Sequence, residues 1–153
     1  RSQLPDVAWR TTFIVGFPTE TDQDFEELVD FVSEGHFQHL GIFLYSDEDN
    51  IRSSKFGDPI PISLKEERKN RLMEIQQKIS REHHQKMVGS LQQVLVGGFS
   101  SETDLLLEGR NQYQGPEVDG VVYINEGNAT SAGFHQVEIT EAHEYDLVGK
   151  ILN

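Results

Sequence analysis

The sequence predicts an α/β segment, a connector helix and then a small all-β domain. In the first part, two apolar runs flank an amphipathic helical pattern, and a strand, helix and strand joined by short loops imply a parallel sheet. In the last part, residues 88–153 contain five short apolar runs separated by Gly, Asn or Asp. Short strands at this spacing are typical of a small, five-stranded antiparallel barrel of the OB type.

Within the α/β segment, we expect strands near residues 8–16 and 39–45, the first of which ends at Gly16. Their apolar character suits strands that are buried on both faces. Thr21, with Asp24 three residues later, is a good cap for the intervening helix, which Gly35 ends. One face of that helix is apolar because its apolar side chains recur with helical spacing. These side chains are Phe25, Leu28, Val29 and Val32.

A polar loop over residues 46–62 precedes a longer helix. Ser63 with Glu66 forms a capping-box pattern, which predicts that the helix begins there, and the helical pattern runs to about residue 88. Lys, Arg, Glu and Gln occupy most of its faces, so we expect most of the helix to be solvated. It would connect a domain over residues 1–62 with one over residues 88–153. Its narrow apolar stripe consists of Leu64, Leu72, Ile75 and Ile79.

The composition excludes several kinds of chemistry within these 153 residues. Without cysteine, the segment forms no disulfide, thiolate nucleophile or Cys-ligated metal cluster. No apolar run approaches the roughly 18 residues of a membrane helix, so we expect no membrane partner. The lack of cysteine fits a cytoplasmic origin, and we expect a monomer. The opening residues, RSQLPDVAWR, lack both an initiator Met and the apolar core of a signal peptide. We therefore expect a piece of a longer protein.

The chain is strongly acidic, with 26 Asp+Glu against 13 Lys+Arg and a net charge of −13. Residues 88–153 alone carry 10 acidic and 2 basic side chains. Because an acidic surface repels phosphate and attracts basic partners, we expect this domain to dock a basic protein. Glu117 and Asp119 would then face Lys or Arg of that partner. Turn formation within GPEVDG is the alternative role for both residues.

Aromatic side chains of the same domain suggest a different ligand. Tyr113, Tyr123 and Phe134 are candidates for a base-stacking platform, which OB-like domains often use to bind RNA. Their acidic surroundings argue against this interpretation.

The order of the segments resembles the radical S-adenosylmethionine methylthiotransferases. RTTFIVGFPTETDQDFEELVDFV is similar to the fifth barrel strand and following helix of that family, and LGIFLYSDED to its sixth strand and loop. KEERKNRLMEIQQKIS resembles the helix that leaves the barrel. VGSLQQVLV, GRNQYQGPEVDGVVYIN and GFHQVEITEAHEYDLVGKI resemble the appended TRAM domain. The resemblance thus implies the C-terminal part of a TIM-like radical barrel, followed by a connector helix and a TRAM domain.

The resemblance also implies cofactors and a reaction. The family uses S-adenosylmethionine and two [4Fe-4S] clusters held by cysteines; their ligands lie outside this segment, which should be inactive alone. One branch modifies an adenosine of transfer RNA. The other adds a methylthio group to the β-carbon of an aspartate in small-subunit ribosomal protein S-twelve. GRNQYQGPEVDGVVYI resembles the ribosomal-protein branch, and the acidic last domain favours the same branch.

Candidate cofactor-binding residues lie on the first predicted strand. Thr12, Ile14 and Gly16 alternate along it and therefore share one face. The resemblance makes this the face toward the barrel interior, near the adenine and ribose of the cofactor; ordinary strand packing is the alternative. Arg10 lies two residues further back on that face. A buried Arg there needs a partner, either a carboxylate of cofactor or substrate or a structural ion pair.

Further candidates lie at the ends of the two strands. Phe43 and Tyr45 share a face of the second strand, where Tyr45 could stack on or hydrogen-bond the cofactor; core packing is the alternative. Glu20 resembles a position near the cofactor, although stabilisation of the helix terminus is the simpler account. The six histidines show no metal-binding spacing, so we expect no metal ligand and no catalytic residue in this segment.

The sequence departs from the family pattern at several positions. The three-cysteine motif is absent, Thr19 replaces a usual glycine in the first turn, and Asn50 and Ile51 replace a usual Gly-Thr in the second loop. A binding module of another class, non-catalytic and OB-like, is the alternative to a methylthiotransferase. A cysteine motif upstream in the complete protein would exclude that alternative.

Overall fold

The structure is a computed structural model, and it describes residues 7–48, 52–127 and 132–152. Asn50 and Ile51, where the sequence departs from the family pattern, lie outside these residues. The chain divides into two compact units, one formed by Ala8–Ile79 and the other beginning at Ser80.

The first unit contains the predicted strand–helix–strand element. It consists of β1 (Arg10–Val15), α1 (Asp22–Ser33), β2 (His39–Leu44), a short 3-10 helix (Arg52–Phe56) and most of α2 (Ile62–Gln85). Strands β1 and β2 pair in parallel, with Arg10 opposite His39 and Val15 opposite Leu44. The prediction of two neighbouring parallel strands is confirmed.

Helix α1 begins as its sequence predicts. The Thr21 hydroxyl accepts from the backbone N–H of Asp24, and the Asp24 carboxylate accepts from the backbone N–H of Thr21 at 2.9 Å, so each residue satisfies an otherwise unpaired donor. The predicted apolar face packs against β1, β2 and α2. The buried side chains of this core are Val15, Phe25, Val29, Val32, Leu40, Ile42 and Leu72.

Helix α2 differs from its prediction in two ways. It begins at Ile62 rather than after a Ser63 cap, because the Pro61 carbonyl accepts from the backbone N–H groups of Leu64 and Lys65 at 3.0 and 3.2 Å. Its buried row is mostly polar, whereas the sequence predicted solvated polar faces. That row, at helical spacing, is Lys65, Arg68, Leu72 and Gln76.

The second unit contains a closed five-stranded barrel, as predicted. Its strands are β3 (Leu91–Phe99), β4 (Leu107–Arg110), β5 (Val122–Glu126), β6 (Gly133–Ala142) and β7 (Leu147–Ile151), in the order β3-β4-β5-β7-β6. Four pairings are antiparallel, but β5 and β7 pair in parallel. The expectation of a wholly antiparallel barrel is wrong at this pair, because an odd number of strands cannot close with alternating directions throughout.

Alternating side chains from β3, β5, β6 and β7 fill the barrel, and Leu107 of β4 packs against them. Two glycines allow the strands to approach closely: a Cβ at Gly149 would lie 2.5 Å from Cγ1 of Val137, and one at Gly109 would lie 2.6 Å from Cγ1 of Val94. Among the described residues, neither helix has the length and apolar character required to span a lipid bilayer. The buried core consists of Val94, Val96, Val122, Ile124, Val137, Ile139, Leu147 and Ile151.

Candidate functional site

The loop after β1 is a tight turn held by its own glutamate. Gly16 is buried and has a φ of 80°, which an L side chain rarely adopts. Its backbone N–H donates to both carboxylate oxygens of Glu20, at 3.1 and 3.0 Å. The backbone N–H of Glu20 donates to the Phe17 carbonyl at 2.8 Å. Glu20 therefore shapes the turn at the carboxyl end of β1, where ligands of parallel α/β proteins bind.

Two buried cations of α2 reach the loops after both strands. Lys65 is 1% exposed, donates from Nζ to the Tyr45 carbonyl at 2.8 Å, and forms an ion pair with Asp58. Arg68 is 3% exposed and forms ion pairs with Glu20 at 2.5 Å and Asp22 at 2.6 Å. Buried charges need such partners to offset the cost of leaving water.

Four of the six candidate cofactor residues share the open face of the two-stranded sheet. Arg10, Thr12 and Ile14 alternate along β1 on its exposed side, and Phe43 lies directly opposite Ile14 on β2. Ile14 is 58% exposed and Phe43 is 63% exposed. An adjacent pair of large apolar side chains at this exposure indicates a face that another group covers. Arg10 is exposed on the same face.

The other two candidates lie elsewhere. Gly16 is in the turn, where an added Cβ would collide with the side-chain stem of Lys65, so the absence of a side chain there is explained without a ligand. Tyr45 lies one residue beyond β2 and is 7% exposed. Its ring packs edge-on against Phe17 at 5.3 Å, and Lys65 Nζ lies 5.3 Å from the ring centroid. Tyr45 thus belongs to the loop packing.

The aromatic side chains of the barrel do not form one platform. Tyr113 and Phe134 line a groove of about 680 Å³ together with Leu91 and Leu95, whereas Tyr123 lies on β5, which β7 separates from the strand that carries Phe134. The hypothesis of a continuous three-ring stacking surface is therefore not supported by their placement.

Tyr123 instead lies within an acidic face of the barrel. It is directly opposite Glu108 of β4. Desolvation raises the pKa of Tyr123 above its usual value, and the negative charges of Asp146, Glu102 and Glu108 raise this pKa further. The carboxylates around this phenol can form ion pairs with cationic side chains of a partner, and the tyrosine ring can contact the same cations. Tyr123, Glu102, Glu108 and Asp146 together form the acidic face of the barrel.

Glu117 and Asp119, the two residues predicted to dock a partner, have different roles in the loop between β4 and β5. The Asp119 carboxylate accepts from the backbone N–H of Gly115 at 2.6 Å, which confirms turn chemistry for this residue. Glu117 is exposed and has a φ of 63°. Both residues line a second groove of about 330 Å³, with Glu108 and Arg110 among its other walls.

Sequence reasoning missed the two buried cations of α2 and two members of the acidic face. Lys65 and Arg68 are three residues apart and share the face of Leu72, so their helical spacing was a signal, but long cations on a helix are usually solvated. Glu102 and Asp146 lie in loops far apart in the chain, and only closure of the barrel brings them near Tyr123.

The barrel belongs to a known class of domain. Residues 88–152 match the TRAM domain family, in agreement with the resemblance of the same segment.

Comparison of the whole chain with curated proteins gives a more particular result. The chain is 47% identical over 153 residues to ribosomal protein uS12 methylthiotransferase RimO of Desulfotalea psychrophila, covering 100% of this chain and 34% of that protein. It is 48% identical over 152 residues to the protein of the same name from Anaeromyxobacter sp. strain K, covering 99% and 32%. The Bdellovibrio bacteriovorus protein is 49% identical over 152 residues, covering 99% and 33%. The chain spans about a third of the length of these relatives, and the resemblance to the methylthiotransferases is confirmed.

Proposed function

We propose that this chain is the C-terminal part of a radical S-adenosylmethionine enzyme that adds a methylthio group to the β-carbon of an aspartate in ribosomal protein uS12. The observation that carries this proposal is identity of 47% to a uS12 methylthiotransferase over every residue of the chain, α/β segment and barrel alike. Similarity confined to the TRAM domain would have left the reaction open, since a binding domain can accompany many activities.

The open face of β1 and β2 fits one wall of the S-adenosylmethionine site. Ile14 and Phe43 are side by side and largely exposed, which suits contact with a flat adenine. Thr12 contributes a hydroxyl on the same face, and Arg10 a guanidinium suited to a carboxylate. The cofactor and two [4Fe-4S] clusters supply the radical chemistry, and the protein positions and shields it. The chain has no cysteine, so the cluster ligands lie elsewhere in the enzyme.

The barrel supplies the docking surface for the protein substrate in this proposal. Support comes from the acidic face around Tyr123, from the exposed Glu117 nearby in sequence, and from the excess of 10 acidic over 2 basic side chains in residues 88–153. The negative surface attracts a basic protein and steers it toward the barrel, and it repels the negatively charged backbone of a nucleic acid. A transfer RNA substrate is therefore disfavoured.

The cofactor assignment is tested with two isoleucines of similar exposure. In the full-length, cluster-loaded enzyme, Ile14→Asp places a charge on the open face and should weaken S-adenosylmethionine binding by about tenfold or more, because the carboxylate is desolvated against the adenine. The control is Ile62→Asp: Ile62 is 61% exposed at the start of α2, against 58% for Ile14. Calorimetric titration gives both affinities, and equal affinity in the two variants would contradict the placement.

A further inference from the structure

The loops after β1 and β2 are both tied to one side of one helix. Lys65 and Arg68 are one turn apart on α2, and each is at least 97% buried. Lys65 holds the loop after β2 through the Tyr45 carbonyl, and through Asp58 it also holds the segment that leads into α2. Arg68 holds the loop after β1 through Glu20.

The contacts are connected with one another as well as with the helix. Glu20 accepts from the Gly16 N–H and from Arg68 at the same time, so its carboxylate joins the turn to α2. The stem of Lys65 fills the space beside Gly16 that a side chain would occupy, and its ammonium lies against the Tyr45 ring. Displacement of Arg68 therefore leaves the largely buried Glu20 carboxylate without its cation, and displacement of Lys65 leaves the loop after β2 without the hydrogen bond to the Tyr45 carbonyl.

An ion pair that only joins two helices does not need to reach these loops, as a neighbouring arginine of α2 shows. Arg71, one turn after Arg68, also stacks on Phe25 and forms an ion pair with Glu26 of α1, with Nη2 and Oε2 2.7 Å apart. That pair joins two helices at the surface, where the two side chains are 47% and 54% exposed. Lys65 and Arg68, by contrast, extend from α2 to the two loops at the carboxyl ends of the strands.

We propose that Lys65 and Arg68 are positioning residues that hold both cofactor-side loops of this segment in the shape that binds S-adenosylmethionine. This inference rests on the proposed function, because it takes the loops to be part of that cofactor's site. The cations do not touch the ligand. They act through the backbone of Gly16 and Tyr45, and their effect is preorganisation, since a site whose loops are already ordered loses less entropy on binding.

The test uses the full-length enzyme with Lys65→Met, Arg68→Met and the control Arg71→Met. Each substitution removes a cation from α2 and keeps an apolar stem. Asp58→Asn is a milder fourth variant, because Asp58 is 34% exposed and its loss leaves the helical core intact. Two quantities are measured: the S-adenosylmethionine affinity by calorimetry, and the hydrogen-exchange rate of the Gly16 amide in the absence of ligand.

We expect Lys65→Met and Arg68→Met to weaken S-adenosylmethionine binding about tenfold, the factor that corresponds to one charge-assisted hydrogen bond. Gly16 exchange should quicken in Arg68→Met, Asp58→Asn should lower the affinity to a smaller extent, and Arg71→Met should change neither quantity. Unchanged affinity in Lys65→Met and Arg68→Met would overturn the inference, as would an equal loss in all variants including Arg71→Met. A wild-type enzyme that bound no S-adenosylmethionine would contradict the proposed function and this inference with it.

Discussion

The pairing of Tyr123 with Glu108 shows how single residues define the chemistry of the acidic face. A phenol surrounded by carboxylates stays neutral, because ionisation would add a further negative charge in a partly desolvated place. The neutral phenol stabilises the folded domain below the usual tyrosine pKa of about 10, and this contribution is lost as the pH rises through the raised pKa. At neutral pH the face therefore presents a hydroxyl donor among acceptors.

Removal of one of these charges should shift the titration of Tyr123. Glu108→Gln is expected to lower the pKa of Tyr123 toward its ordinary value, because one of the charges that oppose its ionisation is gone. The matched control is Glu138→Gln, which removes a carboxylate that pairs with Lys150 at 3.2 Å on the other side of β7. Ultraviolet titration, with Tyr123→Phe used to assign the signal, measures the effect. An equal shift in the two variants would show that net charge, rather than the acidic face, determines this pKa.

At the scale of single residues, the sequence predicted local geometry better than it predicted contacts. The Thr21 cap and the shared face of Thr12 and Ile14 depend only on neighbours in the chain, and both were predicted. The burial of Lys65 and Arg68 depends on carboxylates 7 and 48 residues away in sequence. No pattern within α2 distinguishes such partners from solvent.

The secondary-structure elements were predictable where the apolar side chains repeated with a single period, either that of a helix or that of a strand. The apolar faces of α1 and of the two parallel strands repeat with helical or strand spacing, and their bounds agree with expectation within two residues. The single parallel pairing in the barrel was missed because hydrophobic runs identify strands but carry no information on direction. The five predicted strands did contain a signal, because an odd number of strands requires at least one parallel pair in a closed barrel.

Close packing of strands in the barrel gives a stability prediction for glycine. Gly149→Ala should destabilise the domain by about 1–3 kcal/mol, because the new methyl would lie 2.5 Å from Cγ1 of Val137 and 2.7 Å from the Glu138 carbonyl oxygen. Gly97→Ala on β3 is the control, since its nearest such atom is 3.9 Å away, and its effect should stay within about 0.5 kcal/mol. Thermal unfolding compares the two variants. A tolerated Gly149→Ala would mean that β6 and β7 can separate without cost.

For the molecule as a whole, the uneven distribution of charge along the chain is the property that favours a basic protein as partner. The basic side chains concentrate in α2, where three of them form ion pairs with the α/β segment, whereas the barrel retains 10 acidic and 2 basic residues. One of those two basic residues, Lys150, is paired with Glu138. The barrel therefore has little positive charge with which to hold a phosphate backbone.

This imbalance predicts that the full-length enzyme associates with uS12 through the barrel, and that association slows as salt screens the opposite charges. Glu108→Lys combined with Glu117→Lys should slow association about tenfold or more at low salt, because both residues border the same groove. Asp119 is left unchanged, since its carboxylate supports the turn at Gly115.

The control is Glu27→Lys with Glu67→Lys, which changes the net charge equally on exposed positions of α1 and α2. Surface plasmon resonance over a salt series measures both pairs against uS12 and against transfer RNA. Equal slowing by the two pairs would mean that net charge alone steers uS12, and tight, salt-sensitive binding of transfer RNA with no affinity for uS12 would favour an RNA substrate.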